Sequence, residues 1–303
     1  MTAVRRHYVD GRFGQVHARI AQPVRACGKR PLLFIHMSPM TGRIFKALAG
    51  EMGGDRLSVA FDTPGYGQSD APDTQPTIET YATALGEAMD ALAADGPFDV
   101  LGYHTGSLTA TALAAQSPAR VGRLVLIGAP LFTPQERATF KAYYGPTSPS
   151  ADGEHLARRW RGFVHHYQRP GMSLEEVAEL FEDATTGGAN AWWGHAAAFD
   201  YDLGAALKAL AHPTLILKTG DDLARQTEPA RHLSPHIDML DAPGWGHGFA
   251  TAHAQDVAAV LRDWLDAESL EARAAVMDAP APASALGPMW PPPEAGSFAP
   301  GCP

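Results

Sequence analysis

The sequence predicts an α/β protein: a mostly parallel central sheet with helices on both faces and a helical cap insertion. Three observations predict it. Short continuous apolar runs recur along the chain, helical patterns separate several of them, and the alternation breaks once, between Leu131 and about Ala206.

The first element is an expected antiparallel hairpin over His7 to Ala21, turning at Asp10-Gly11, a dipeptide that accepts positive φ. Leu32 to Ile35 is the first run typical of a strand buried on both faces. Similar runs follow at Leu57 to Phe61, Phe98 to Leu101, Leu124 to Ile127, Thr214 to Leu217 and Ile237 to Leu240. Helical patterns cover Ile78 to Ala94 and Ser107 to Gln116, and another spans about Gln255 to Leu265. Inside the break, Pro134 to Tyr144 and Leu174 to Ala184 read as helices, with Trp160, Trp192 and Trp193 nearby. Because strand signals resume afterwards, the break reads as an insertion rather than a separate domain. The expected organisation is a core over 1–130 and 206–268, a cap over 131–205 and a tail over 269–303. Residues 280–303 hold eight prolines, which fix φ and remove donors, so the tail is expected to be extended, with Trp290 and Phe298 as anchors.

Composition narrows the function. The 303 residues are 45% hydrophobic and 19% charged, with a formal net charge of -9 and no basic cluster, which argues against nucleic acid. Cys27 and Cys302 form no CxxC pattern, so neither a disulfide framework nor a thiolate zinc site is expected. With no signal-peptide core behind the first arginines and no 18-residue apolar run, the expectation is a cytoplasmic protein that does not enter membranes. The oligomeric state is left open, a homodimer being one arrangement to test.

Ligands of an open parallel sheet bind beyond the carboxyl ends of its strands. Five such positions carry polar or turn-forming residues: His36-Met37-Ser38-Pro39, then Asp62-Thr63-Pro64-Gly65-Tyr66-Gly67-Gln68-Ser69-Asp70, then Gly102-Tyr103-His104-Thr105-Gly106-Ser107, then Thr219-Gly220-Asp221-Asp222, and finally Gly244-Trp245-Gly246-His247-Gly248. In their order and their strand contexts these stretches resemble the α/β-hydrolase-fold superfamily. The resemblance covers about Val9 to Pro130 and Ala206 to Leu265. It departs at the elbow, where His104 stands at the nucleophile position usually held by serine, so a serine-esterase mechanism does not carry over.

The resemblance implies that His247 is the general base, oriented by Asp222 or, as the second choice, Asp221. It also implies an oxyanion hole formed by the backbone N–H groups of Thr105 and Met37, with His36 shaping the loop. The elbow directs His104 into the cleft, and the helix beneath favours a neutral imidazole there. His104 and His247 are then expected in opposite electrostatic settings, as acid and base, with attack by His104 to form an acyl-imidazole as the second mechanism. Ser107 reads as a packing or capping hydroxyl. Tyr103, Trp245, Trp192 and Trp193 are candidate substrate contacts, with His195 and Phe199 in the same apolar lid, and the His165-His166 doublet reads as surface. A metal held by His36, His104, His247 and Asp222 is the weakest reading, so no metal or cofactor is assigned. The leading expectation is a hydrolase of a small apolar ester, lactone or other carbonyl compound, acting without a serine nucleophile. A cofactor-free lyase or isomerase using the two histidines, and a ligand-binding pseudoenzyme, are the alternatives.

Overall fold

A computed structural model describes residues 1–25, 27–92, 96–168 and 172–268. The proline-rich tail over 269–303, with Trp290 and Phe298, lies outside the described residues. The strands are β1 (Arg5–Gly11), β2 (Gly14–Ala21), β3 (Leu32–Ile35), β4 (Ser58–Phe61), β5 (Phe98–Tyr103), β6 (Val121–Ile127), β7 (Thr214–Thr219) and β8 (Ile237–Ala242). They form one eight-stranded sheet in the order β1-β2-β4-β3-β5-β6-β7-β8. Pairings are antiparallel from β1 to β4 through β2 and parallel from β4 onward.

Burial on both faces explains why the strands are apolar without alternation. In β3, Leu33 and Ile35 join one core cluster while Leu32 and Phe34 join the other. Each fully buried side chain of this size contributes about 1.5–3 kcal/mol relative to exposure. One face is covered by α2 (Ile78–Leu92) and α3 (Thr105–Gln116). The other is covered by α1 (Lys46–Met52) and by the C-terminal segment.

Register moves the hairpin turn away from its expected place. Strand pairing runs through Gly11 and Gly14, so Arg12 and Phe13 form the turn and Asp10-Gly11 stays in the strand. The apolar pattern decides this: the observed register pairs Val9 with Val16, both buried in one cluster. A turn at Asp10-Gly11 would instead pair Val9 with Arg12.

Between β6 and β7 the described chain is helical, with α4 (Pro134–Tyr143), α5 (Glu154–Tyr167), α6 (Leu174–Thr185), α7 (Trp193–Asp200) and α8 (Leu203–Ala209). Capping boxes start two of these helices: Thr133 with Glu136 at α4, and Ser173 with Glu176 at α6. Helix α8 buries Leu203 and Leu207 in the same cluster as α3. After β7 come α9 (Ala224–Thr227), α10 (Phe249–Ala252) and α11 (Ala254–Leu265). No helix among the described residues is long and apolar enough to cross a membrane.

The loop after β4 fastens the inserted helices to the sheet. Gly194 N–H donates to the Tyr66 hydroxyl at 2.8 Å, and that hydroxyl donates to the Ala191 carbonyl at 3.1 Å. Gly67 N–H donates to Thr186 Oγ1 at 2.9 Å. The start of α7 is thereby fixed against the core. Replacing Tyr66 by Phe removes both hydroxyl bonds, and a loss of about 1–3 kcal/mol of unfolding free energy is expected. Hydrogen exchange should accelerate first at the amides of residues 191–194, which checks that the loss is local to this contact.

Candidate active site

The site is built around the reversal from β5 into α3. His104 adopts φ 48° and ψ -112°, a region a non-glycine residue enters only when its surroundings hold it there. Its N–H donates to the Ile127 carbonyl at 2.8 Å, and Ser107 N–H returns to the His104 carbonyl at 2.8 Å. The flanking glycines permit the turn by close approach: a Cβ on Gly106 would stand 2.0 Å from the Ile35 carbonyl oxygen. Ser107 is fully buried and donates to the carbonyls of Gly102 at 2.9 Å and Ile127 at 3.1 Å. That hydroxyl is committed to holding the turn.

From the elbow, His104 reaches past the end of β6 to the loop after β7, where Nε2 meets Asp221 Oδ2 at 3.0 Å. Gly128, at φ 61°, lies under this crossing. A Cβ on Gly128 would stand 2.5 Å from His104 Cδ2 and 2.9 Å from Nε2. Asp221 also accepts from the Thr219 hydroxyl at 2.6 Å and from Leu223 N–H at 3.0 Å. Burial works to raise the Asp221 pKa, but the neighbouring His104 holds it below the usual carboxylate range. Nδ1 of His104 has no hydrogen-bond partner among the described residues.

A second pair stands beside the first. His247 Nε2 meets Asp222 Oδ1 at 2.6 Å, and the Tyr103 hydroxyl meets His247 Nδ1 at 3.1 Å. Asp222 is likewise held low by His247 against the effect of burial. The two imidazoles lie edge to face, 5.4 Å between centroids. Each ring has its own carboxylate, so the settings expected to be opposite are alike, and Asp221 and Asp222 are both engaged rather than alternatives. His247 has both nitrogens occupied and does not line the cleft, whereas His104 and Asp222 do.

The cleft takes in about 550 Å³ including its mouth. Its floor is His104, Thr105 and Leu108 of the elbow helix, with Ser38 from the loop after β3. Its wall is Phe132, Phe140, Tyr144, His195 and Phe199 from the inserted helices. Ser38 N–H donates to Thr105 Oγ1 at 2.6 Å. Thr105 is the first residue of α3, so its own amide has no partner due from within the helix.

Several expected contacts sit elsewhere. The Met37 side chain is buried with its sulfur 3.8 Å from the Tyr167 hydroxyl, and Ser38 is the residue of that loop that lines the cleft, which leaves the expected role of the Met37 backbone N–H untouched. His36 uses Nδ1 on the Met37 carbonyl at 2.9 Å and accepts Thr63 N–H on Nε2 at 2.9 Å, both bonds to backbone. Its ring is therefore a loop brace outside the His104 and His247 cluster, and burial lowers its pKa. Tyr103 is buried and acts on His247 rather than on the cleft. Trp245 is buried and stacked on Phe249 at 5.9 Å. Trp192 and Trp193 precede the stretch of α7 that faces the cleft, which presents His195, Ala198 and Phe199 instead. His166, expected at the surface, is half-buried with its ring 5.5 Å from that of His247. Ligand atoms of His166, Asp222 and His247, and of His104, Asp221 and Asp222, lie within 4.8 Å of one another, spacings that suit a cation. Each set contains one hydrogen-bonded pair, His247 with Asp222 in the first and His104 with Asp221 in the second.

Residues 31–249 match the model of a family described as the alpha/beta hydrolase fold. Among solved structures, a hydrolase from Pseudomonas aeruginosa PA01 superposes with a TM-score of 0.73 at 19% identity, over 87% of this chain and 99% of that one. An enol-lactonase from Burkholderia xenovorans LB400 gives 0.71 at 17%, over 86% and 100%. A thermophilic esterase from Thermogutta terrifontis gives 0.65 at 21%, over 86% and 98%. At these identities the likeness is one of fold.

Two measurements check this geometry. Gly128→Ala should push His104 off Asp221 and lower turnover at least tenfold while the melting temperature falls only modestly, since an alanine at positive φ costs roughly 1–2 kcal/mol. The second concerns His195, which burial and the charge of Arg159 lower to about 3. Below the ordinary histidine value near 6.5 the unfolded chain takes up a proton that the folded chain refuses, so this residue's contribution is intact above that pH and is lost as pH falls. The melting temperature of His195→Gln should therefore decline less steeply between pH 7 and 5 than that of the parent.

Proposed function

The chain belongs to the α/β-hydrolase fold family, and on that premise we propose that it hydrolyses a small, uncharged ester, lactone or related carbonyl compound with His104 as the general base. The observation that carries the reading is His104 itself: it stands at the nucleophile elbow, faces the cleft and is backed by a buried carboxylate. With Nε2–H donated to Asp221, the lone pair of Nδ1 is available to a water molecule. His104 takes a proton from that water as its oxygen bonds to the carbonyl carbon, and Asp221 stabilises the resulting imidazolium. The amide of Thr105 at the start of α3 receives the developing oxyanion. Collapse breaks the bond to the leaving oxygen, which takes the proton back from His104, giving the acid and the alcohol. No acyl-enzyme forms. His247 and Asp222 hold the neighbouring charge and, through Tyr103, brace the strand that ends at the elbow.

A second reading is a cofactor-free lyase or isomerase. The cleft position of both His104 and the Asp222 carboxylate favours it, because one can take a proton from beside a carbonyl while the other lines the same cleft. Incorporation of solvent deuterium next to a substrate carbonyl, with no hydrolysis, is its signature.

Short acyl nitrophenyl esters and simple lactones test the leading reading. His104→Ala should lower kcat/KM by about 10²- to 10⁴-fold and Asp221→Asn by about 10²-fold or more. His247→Ala should cost less than His104→Ala. The reverse order would return the base role to His247 and sink the assignment.

A further inference from the structure

The cleft wall contributed by the inserted segment is largely a stack of rings in which His195 and Tyr144 are the polar members. His195 lies face to face on Tyr144, with centroids 4.3 Å apart and planes 12° apart. Phe199 continues the arrangement, at 6.1 Å and 30° from Tyr144 and 5.9 Å and 23° from Phe140. Stacking occupies the imidazole face, and its two nitrogens lie in the ring plane. Neither nitrogen has a hydrogen-bond partner among the described residues, and the ring lines the cleft. Around it the lining is largely apolar, with Pro130, Phe132, Ala198 and Leu223. A polar group left unpaired in such surroundings is unfavourable unless a ligand or water completes it.

Charge restricts what can complete it. Burial and the Arg159 charge keep the ring neutral at ordinary pH, so it can donate through one nitrogen and accept through the other. Asp222 lines the same cleft and, among the described residues, no lysine or arginine lines it, Arg159 reaching His195 only through its charge, which disfavours a carboxylate or phosphate on the substrate. The near-parallel rings of His195, Tyr144 and Phe199 suit a flat ring, with Phe132 set edge-on to Phe199.

We propose that His195 is a specificity-determining residue that hydrogen-bonds an uncharged hydroxyl or carbonyl on a flat, ring-bearing substrate whose reacting carbonyl lies against His104. This rests on the hydrolase reading for the His104 end of the molecule. Tyr66 serves the same recognition indirectly, because its bond to Gly194 N–H sets the start of the helix that carries His195.

Binding rather than turnover tests it. Calorimetry would compare acetophenone, its 2-, 3- and 4-hydroxy isomers and benzoate as non-hydrolysable probes. At least one hydroxy isomer should bind the parent protein about tenfold tighter than acetophenone, the worth of one well-placed hydrogen bond. His195→Phe keeps a ring and removes both nitrogens. It should reduce that ratio to about twofold or less while leaving the affinity for acetophenone itself within about twofold. His195→Gln should restore part of the preference, and the parent's ratio should stay flat from pH 5 to 7. The proposal is overturned if no ketone binds, if no hydroxy isomer is preferred, if benzoate binds tightest, or if His195→Phe (or, should that variant not fold, His195→Gln with its hydroxy preference unchanged in every isomer) leaves the pattern intact. A ratio that collapses in His195→Phe when no ester or lactone is turned over keeps this recognition and removes the hydrolase reading. Turnover with an unaffected ratio does the opposite.

Discussion

The hydrogen bond from His104 to Asp221 ties the end of β5 to the loop after β7, across the strand that separates them. Much else in the site is a condition of that crossing. The strained backbone at residue 104 aims the ring, the bare backbone at Gly128 leaves it room, and Thr219 with the Leu223 amide holds the carboxylate that receives it. Because the acceptor is buried, the pair is strong only while it remains complete. Removing either partner strands the other in a place where water cannot easily compensate.

The inserted helices answer to a different constraint. Their contact with the sheet runs through loops, chiefly Tyr66 and Gly67 after β4, and through Arg43 and Thr41 reaching Asp183 on α6. These bonds set how far the aromatic wall stands from the elbow. The dimensions of the cleft therefore depend on a tight turn that makes no contribution to its lining.

Much of the sheet was legible because fully buried strands are continuous apolar runs, and six such runs correspond to β3 through β8. The hairpin turn was misplaced because Asp10-Gly11 has turn chemistry of its own, and only the pairing of Val9 with Val16 reveals that register prevailed. Helix α7 gave no boundary signal, since Trp192 caps it without a side-chain bond and its residues are apolar on most sides. The elbow could be read from its glycines and its place after a strand. The pairing of Asp221 with His104 could not, because nothing in local spacing says that each of two consecutive carboxylates finds its own histidine. His166 and Ser38 escaped for a similar reason. Each reaches the site through the packing of a separate segment, and a histidine doublet or a serine in a loop has no periodicity to mark it.

Tyr103 also restricts which residue could work at the elbow. Its hydroxyl occupies one nitrogen of His247 while Asp222 occupies the other, so the late histidine has no free nitrogen to turn toward residue 104. A serine installed at the elbow would find no partner ready to activate it and would be too short to reach Asp221. Replacing His104 by serine alone would thus not turn this site into that of an ordinary serine hydrolase.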